Sequence, residues 1–247
     1  MKVILNGACG AMGQQLQKLL VDGGHSIAAL VDTKGGKGIH QSFSKINDKA
    51  DLIIDFSYHT ATRAAVDHAL SHKLPIVIGT TGHTEEERDY ILEAAKQIPV
   101  FYSGNMSLGI AVLCRLTQEA LRYFPDADVE ILEIHHNRKA DAPSGTALML
   151  ARAIQAQRPH ATVRCGRSGL CRRTPQEIGI SSIRLGNTVG IHEVMISTGT
   201  QTLHLKHEAH DRALFAQGAV EAAVFLAQQP RGLYGMEELL NQDGHSL

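Results

Sequence analysis

Val3-Ile4-Leu5-Asn6-Gly7-Ala8-Cys9-Gly10-Ala11-Met12-Gly13 lies at the start of the chain, and its reading decides the fold. The apolar run at 3–5 predicts a short strand. Glycines at 7, 10 and 13 predict a tight turn directly after it. Leu16, Leu19 and Leu20 then share one helical face. Strand, glycine turn and helix in that order form the context in which a glycine motif carries meaning. The spacing is G-x-x-G-x-x-G, not the commoner G-x-G-x-x-G, yet the same physics applies. Gly7 and Gly10 allow a tight turn and close approach of a pyrophosphate. Gly13 allows the helix to pack closely on the sheet, and the helix N-terminus offers free N–H groups to phosphates. Residues Gly7, Ala8, Cys9, Gly10, Ala11, Met12 and Gly13 are therefore the first candidate cofactor segment.

The pattern continues outward. Residues 27–31 read as a second strand ending at Asp32, 19 residues beyond Gly13. A carboxylate there accepts hydrogen bonds from an adenosine ribose and repels a 2'-phosphate. Lys34 and Lys37 follow closely and offset that repulsion. Asp32, Thr33 and Lys34 are assigned to the cofactor, with NADH slightly favoured and NADPH kept open. The plainer reading of this segment is a solvated loop. Further apolar strands are expected at 52–54, 76–78 and 99–102, separated by helices, one of them over 60–70. Thr84 and Glu87 have the spacing of a capping box. Short apolar strands alternating with helices predict a mostly parallel, Rossmann-like α/β sheet whose ligand sits at the carboxyl ends of the strands. Phe56, Ser57, Gly79, Thr80, Thr81, Gly82, Ser103, Gly104, Asn105 and Met106 fall on that rim.

A second dense stretch runs Glu133-Ile134-His135-His136-Asn137-Arg138-Lys139-Ala140-Asp141-Ala142-Pro143-Ser144-Gly145-Thr146-Ala147. The alternating run 128–134 before it predicts a strand, with Val129, Ile131 and Glu133 on one face. The run 147–157 predicts a helix opened by Ser144, Gly145 and Thr146, whose N–H groups favour a carboxylate or phosphate. Lys139 adds a point charge for the same anion. His135 and His136 need not serve the same purpose, since one can bind while the other donates a proton. A hydrolytic Ser-His-acid site uses similar groups, but Ser144 lacks the nucleophile-elbow pattern. Helix capping by Ser144 and surface placement of both histidines is the plainer alternative.

Beyond it, Arg164, Arg167, Arg172 and Arg173 form a basic region that reads either as a loop over the site or as a solvated loop. Runs at 177–185, 189–197 and 201–207 predict three successive strands, with turns at Gly186-Asn187 and Gly199, hence an antiparallel part of a second sheet. The expected second domain is α+β with a mixed sheet. A sheet of this kind must cover its apolar face, and subunit association is one solution. Residues 211–226 read as a helix. Residues 230–240 are expected to pack back on the first domain.

Composition narrows the class. The chain has 247 residues, a hydrophobic content of 43% and a formal net charge of −1. That balance argues against a nucleic-acid binder or a polybasic membrane protein. No run is apolar enough to span a bilayer, and 1–7 does not read as a signal peptide, so a cytoplasmic protein is expected. The four cysteines, Cys9, Cys114, Cys165 and Cys171, lack the paired spacing of a zinc site, and no metal is expected.

Taken together, the 133–147 block, the glycine loop, 79–82, 103–107, 183–186 with 190–192, and 207–219 resemble the dihydrodipicolinate reductase family in order along nearly the whole chain. The resemblance implies a dinucleotide-binding domain over 1–106 and a substrate-binding and oligomerisation domain over 107–215. It also implies a C-terminal segment, 216–247, returning to the first domain. It implies a homotetramer and a cyclic dicarboxylate substrate held between domains. The implied activity is reduction of 4-hydroxy-tetrahydrodipicolinate to tetrahydrodipicolinate with loss of water, in lysine and diaminopimelate synthesis, using NADH or NADPH. His135 and Lys139 are then catalytic, while His136, Lys139, Ser144, Gly145 and Thr146 bind substrate. The loop departs from many members by carrying Ala11 where they have an arginine associated with the NADPH phosphate. A dinucleotide sensor without catalysis, or a dehydrogenase for another small carboxylated substrate, are the competing readings.

Overall fold

The structure is a computed structural model that describes residues 1–46 and 48–242. In chain order its elements are β1 (Lys2–Asn6), α1 (Ala11–Asp22), β2 (Ser26–Val31), β3 (Ile39–His40), β4 (Leu52–Asp55), α2 (His59–His72), β5 (Ile76–Ile78), α3 (Glu85–Ala94) and β6 (Pro99–Tyr102). These are followed by α4 (Leu108–Tyr123), β7 (Asp128–His135), α5 (Gly145–Gln157), β8 (Thr162–Cys165), β9 (Glu177–Arg184), β10 (Gly190–Ser197) and β11 (Thr202–Ala209). The chain closes with α6 (Ala213–Leu226), β12 (Gly232–Tyr234) and α7 (Met236–Leu240). Two compact units result, one of Met1–Leu108 with Ala213–Leu247, the other of Gly109–Arg212. The final five residues of the C-terminal segment, 243–247, lie outside the described residues.

In the first unit the described strands form one sheet in the order β12-β6-β5-β4-β1-β2-β3. All its pairings between named strands are parallel. Ile4, Leu5, Ile53, Ile54, Ile76 and Val77 are fully buried, so both faces of the central strands are covered. That explains why these strands read as continuous apolar runs and not as alternation. The capping box forms at α3: Glu87 N–H donates to Thr84 Oγ1 at 3.2 Å, and Thr84 N–H donates to Glu87 Oε2 at 2.8 Å. Gly218 on α6 lets that helix lie directly on the chain at Met106, whose carbonyl oxygen would sit 1.8 Å from any added Cβ. Residues 230–240 hold more than a packed tail, because β12 adds a parallel strand beside β6.

The second unit contains a mixed sheet in the order β11-β10-β7-β9-β8. The expected antiparallel part is present, but its three strands are not all neighbours. β10 and β11 do form an antiparallel hairpin. β9, however, does not neighbour β10: β7 inserts between them, antiparallel to β10 and parallel to β9. The physical reason is burial. β7 is apolar on its inner face and has polar groups that need partners, so it takes the centre, where both edges are paired. β8, which the basic composition of 162–173 hid, pairs parallel to β9. Residues 166–170 and Arg172 of the basic region are exposed, and two of its arginines anchor it. Arg167 pairs with the buried Glu177, and Arg173 pairs with Glu130 and donates to the Val129 carbonyl at 3.1 Å. Among the described residues no helix is long and apolar enough to cross a membrane.

Candidate active site

The predicted residues fall into two clusters, one in each unit. The first lies at the carboxyl ends of β1, β2, β4, β5 and β6. Gly7 has φ +85, and a Cβ there would meet the Phe56 carbonyl oxygen at 2.2 Å. Gly13, in the first turn of α1, would place a Cβ 2.2 Å from the Gly7 carbonyl oxygen. These two glycines therefore let loop and helix close on each other. Gly10 differs: its Cβ would meet only the Gly7 carbonyl oxygen at 3.3 Å, and it caps α1 with no side-chain cap bond. The first-turn N–H groups of α1 are thus left for a ligand anion. Asp32 ties the rim together. Its Oδ2 accepts from Cys9 N–H and its Oδ1 from Lys34 N–H, both at 2.9 Å.

Between these loops lies a cavity of about 330 Å³ lined by Met12, Phe56, Ser57, Gly79, Thr80, Thr81, Gly104, Asn105 and Met106. Phe215 of α6 lines it too. Its position in an apolar helix gave no sequence signal for a site. A Cβ at Gly79 would lie 2.2 Å from the Phe56 ring, so glycine there lets the ring pack against the end of β5. Beneath the cavity Asp55 is fully buried and accepts from Asn6 Nδ2, Ser57 Oγ, Thr62 Oγ1 and Thr80 Oγ1 at 2.6–3.0 Å. That network fixes the loops carrying Ser57 and Thr80. Gly7, Ala8, Cys9, Asp32, Thr33, Lys34, Gly82 and Ser103 lie outside this cavity's lining. An open helix N-terminus, a carboxylate at the end of β2 and a cavity on the strand rim fit a dinucleotide.

The second cluster is built on β7. Alternation puts Val129, Ile131, Glu133 and His135 on its buried face. His135 is the strand's last residue, whereas His136 is outside it. His136 Nε2 lies 3.2 Å from Arg212 Nη2, and burial together with Arg138 and Arg212 lowers its pKa. The two histidines thus occupy different environments. His135 Nδ1 lies 2.5 Å from Glu133 Oε2. Glu133 is held by the Arg184 fork at 2.9 and 3.0 Å and by Ser144 N–H at 3.2 Å. Burial pushes its pKa up, but Arg184, Ser182 and His135 outweigh that and bring it down to about 2. Ser144 caps α5, accepting from Ala147 N–H at 3.1 Å, and its hydroxyl reaches His192 Nε2 at 3.1 Å. Gly145 and Thr146 form the first turn of α5. Lys139 Nζ is paired with Asp141 at 2.7 and 2.9 Å.

Sequence reasoning assigned no role to Arg184 or His192 and used Glu133 only as a strand-face marker. The available signal was that each lies in a polar interruption of an apolar run. A charged residue on an inner face needs a partner, but which partner is a matter of strand order.

Residues 1–106 match the family described as dihydrodipicolinate reductase, N-terminus, and residues 109–240 match its C-terminus. A 4-hydroxy-tetrahydrodipicolinate reductase of Alkaliphilus metalliredigens is 41% identical over 243 residues, covering 97% of this chain and 99% of that protein. One from Caldanaerobacter subterraneus is 41% identical over 247 residues, covering 98% of each. Among solved structures, the dipicolinate-bound dihydrodipicolinate reductase from Paenisporosarcina sp. TG-14 superposes with a TM-score of 0.78 at 23% identity, covering 96% of this chain and 98% of that one. At that identity the superposition speaks for the fold, while both halves of the family pattern run in order through this chain, which belongs to the dihydrodipicolinate reductase family.

Proposed function

We infer that this chain reduces 4-hydroxy-tetrahydrodipicolinate, with NAD(P)H and a proton, to tetrahydrodipicolinate, NAD(P)+ and water, in lysine and diaminopimelate synthesis. The observation that carries it is the full-length match to relatives bearing that name. A small dicarboxylate substrate and a nicotinamide nucleotide follow from the same match.

The nucleotide supplies the hydride. The chain's residues do the rest. The first turn of α1 receives the pyrophosphate, and Asp32 receives the adenosine ribose. His135 donates a proton as negative charge develops away from the attacked carbon. Lys139, His136 and the first turn of α5 at Ser144, Gly145 and Thr146 hold the carboxylates. Lys139 is held by Asp141 until a substrate carboxylate competes for it. Asp32 and Ala11 favour NADH over NADPH, since neither offers positive charge to a 2'-phosphate; Lys34 leaves NADPH usable. Ile183 is exposed on β9, on the face of the second sheet opposite Val129 and Ile131, which supports association through that face into a homotetramer. The four cysteines are free, which suits the reducing cytosol where this chemistry would run.

The deciding experiment generates the cyclic substrate in place with purified protein, and follows oxidation of NADH and NADPH separately. Turnover with at least one nucleotide is expected, with higher kcat/KM for NADH. Folded protein that oxidises neither overturns the reading. Light scattering of the same sample should give four chains per particle.

A further inference from the structure

We propose that Glu133 is a positioning residue for His135, and that Arg184 holds it in that role. The proposal rests on His135 being the proton donor. Glu133 and His135 are two residues apart on one buried strand face, so the backbone itself brings the carboxylate to the imidazole. Glu133 is fully buried and kept ionised by the Arg184 fork. An ionised carboxylate only accepts hydrogen bonds. The proton in the 2.5 Å contact therefore resides on His135 Nδ1. In the neutral imidazole Nε2 is then bare. In the protonated ring Nε2–H is the proton available for transfer, and Nδ1–H stays where it is. Glu133 thus selects the nitrogen that works and orients the ring without taking a proton itself.

The same carboxylate does a second thing. Its Oε1 accepts the Ser144 N–H at 3.2 Å, at the start of α5. One buried group therefore sets both the proton donor and the anion-binding helix terminus. Arg184 extends the hold by donating to the Lys139 carbonyl at 3.3 Å and the Asp141 carbonyl at 2.5 Å. The ring sits against Gly190, where a Cβ would lie 3.1 Å from Nε2, and edge-on to His192 at 5.1 Å between centroids. Its orientation is fixed from two strands, β7 and β10. A plain structural ion pair between β7 and β9 would need the Arg184 contacts but not the bond to His135.

The test begins with the native protein carrying 15N-labelled histidine. Nitrogen shifts of His135, assigned by comparison with His135→Gln, should show the neutral ring protonated at Nδ1. A neutral ring protonated at Nε2 overturns the proposal. In Glu133→Gln the amide turns its oxygen to Arg184 and its NH2 to His135, which forces the neutral proton onto Nε2. That variant, if folded by circular dichroism, should lose about 100-fold or more in kcat, with KM and NADH Kd within about threefold. Glu133→Asp should recover part of the loss. A folded Glu133→Gln with kcat near native, while His135→Gln is inactive, sinks the role of Glu133 alone. Full turnover by His135→Gln instead sinks the proton-donor reading. If Glu133→Gln does not fold, the tautomer in the native protein decides.

Discussion

Ser144 Oγ lies 3.1 Å from His192 Nε2, and the same oxygen accepts the Ala147 N–H at 3.1 Å. A hydroxyl has one hydrogen and two lone pairs, so beside the Ala147 N–H it pairs with either tautomer of a neutral imidazole. Burial first, then the charge of His135, depresses the His192 pKa to about 3, which keeps the ring neutral. Ser144 is thus a helix cap oriented by a neutral histidine 48 residues away.

That relationship predicts a pH dependence of stability. The unfolded histidine titrates near 6.5, whereas the folded one binds its proton only near 3. The unfolded state therefore gains protons first as pH falls. The contribution of His192 is complete above about pH 6.5 and is lost progressively toward pH 3. Urea titrations at pH 7 and pH 5 should show native protein losing about 2 kcal/mol more than His192→Gln between the two. Equal losses would mean that His192 is not buried neutral.

Ser144→Ala removes the cap of α5 and leaves His192 Nε2 without its hydrogen-bond partner. The two effects together should cost about 2 kcal/mol at pH 7, read from the urea midpoint. Ser144→Thr retains the hydroxyl and should recover most of it. A loss under about 0.5 kcal/mol for alanine would count against the capping role.

The three glycines of the first loop should separate. Gly7→Ala and Gly13→Ala each put a methyl into backbone at 2.2 Å, and should lower Tm as well as nucleotide affinity. Gly10 has φ −72 and ψ 163, which alanine adopts without strain. Gly10→Ala should keep Tm and still raise the NADH Kd by about tenfold, because it adds a methyl at the N-cap of the helix proposed to receive the pyrophosphate. Fluorescence titration reads this directly, and unchanged Kd would place the pyrophosphate elsewhere.

Asp32→Ser removes the charge that repels a 2'-phosphate. The ratio of kcat/KM for NADPH over NADH should rise by about tenfold or more. NADH binding should also weaken, because Asp32 holds the Cys9 and Lys34 N–H groups and orders both loops. A ratio that stays constant would remove Asp32 from cofactor selection.

The parallel sheet of the first unit was legible because each of its signals is local. An apolar strand, a glycine turn and an amphipathic helix occupy about twenty neighbouring residues, and the rim position of Gly7, Phe56, Gly79 and Ser103 follows from chain order. The block from Glu133 to Ala147 was legible for the same reason: its histidines, lysine and helix start lie within one short segment. By itself the sequence also placed Glu133 on the strand face of Val129 and Ile131, through a period of two, and the structure extends that strand to His135 on the same face. Only the tertiary structure decided that β7 lies between β9 and β10, and so that Arg184 reaches Glu133 across 51 residues and His192 reaches Ser144 across 48. Periodicity tells a side chain which face to occupy. It does not say which strand will lie beside it, and a buried carboxylate or imidazole takes its protonation state from that neighbour.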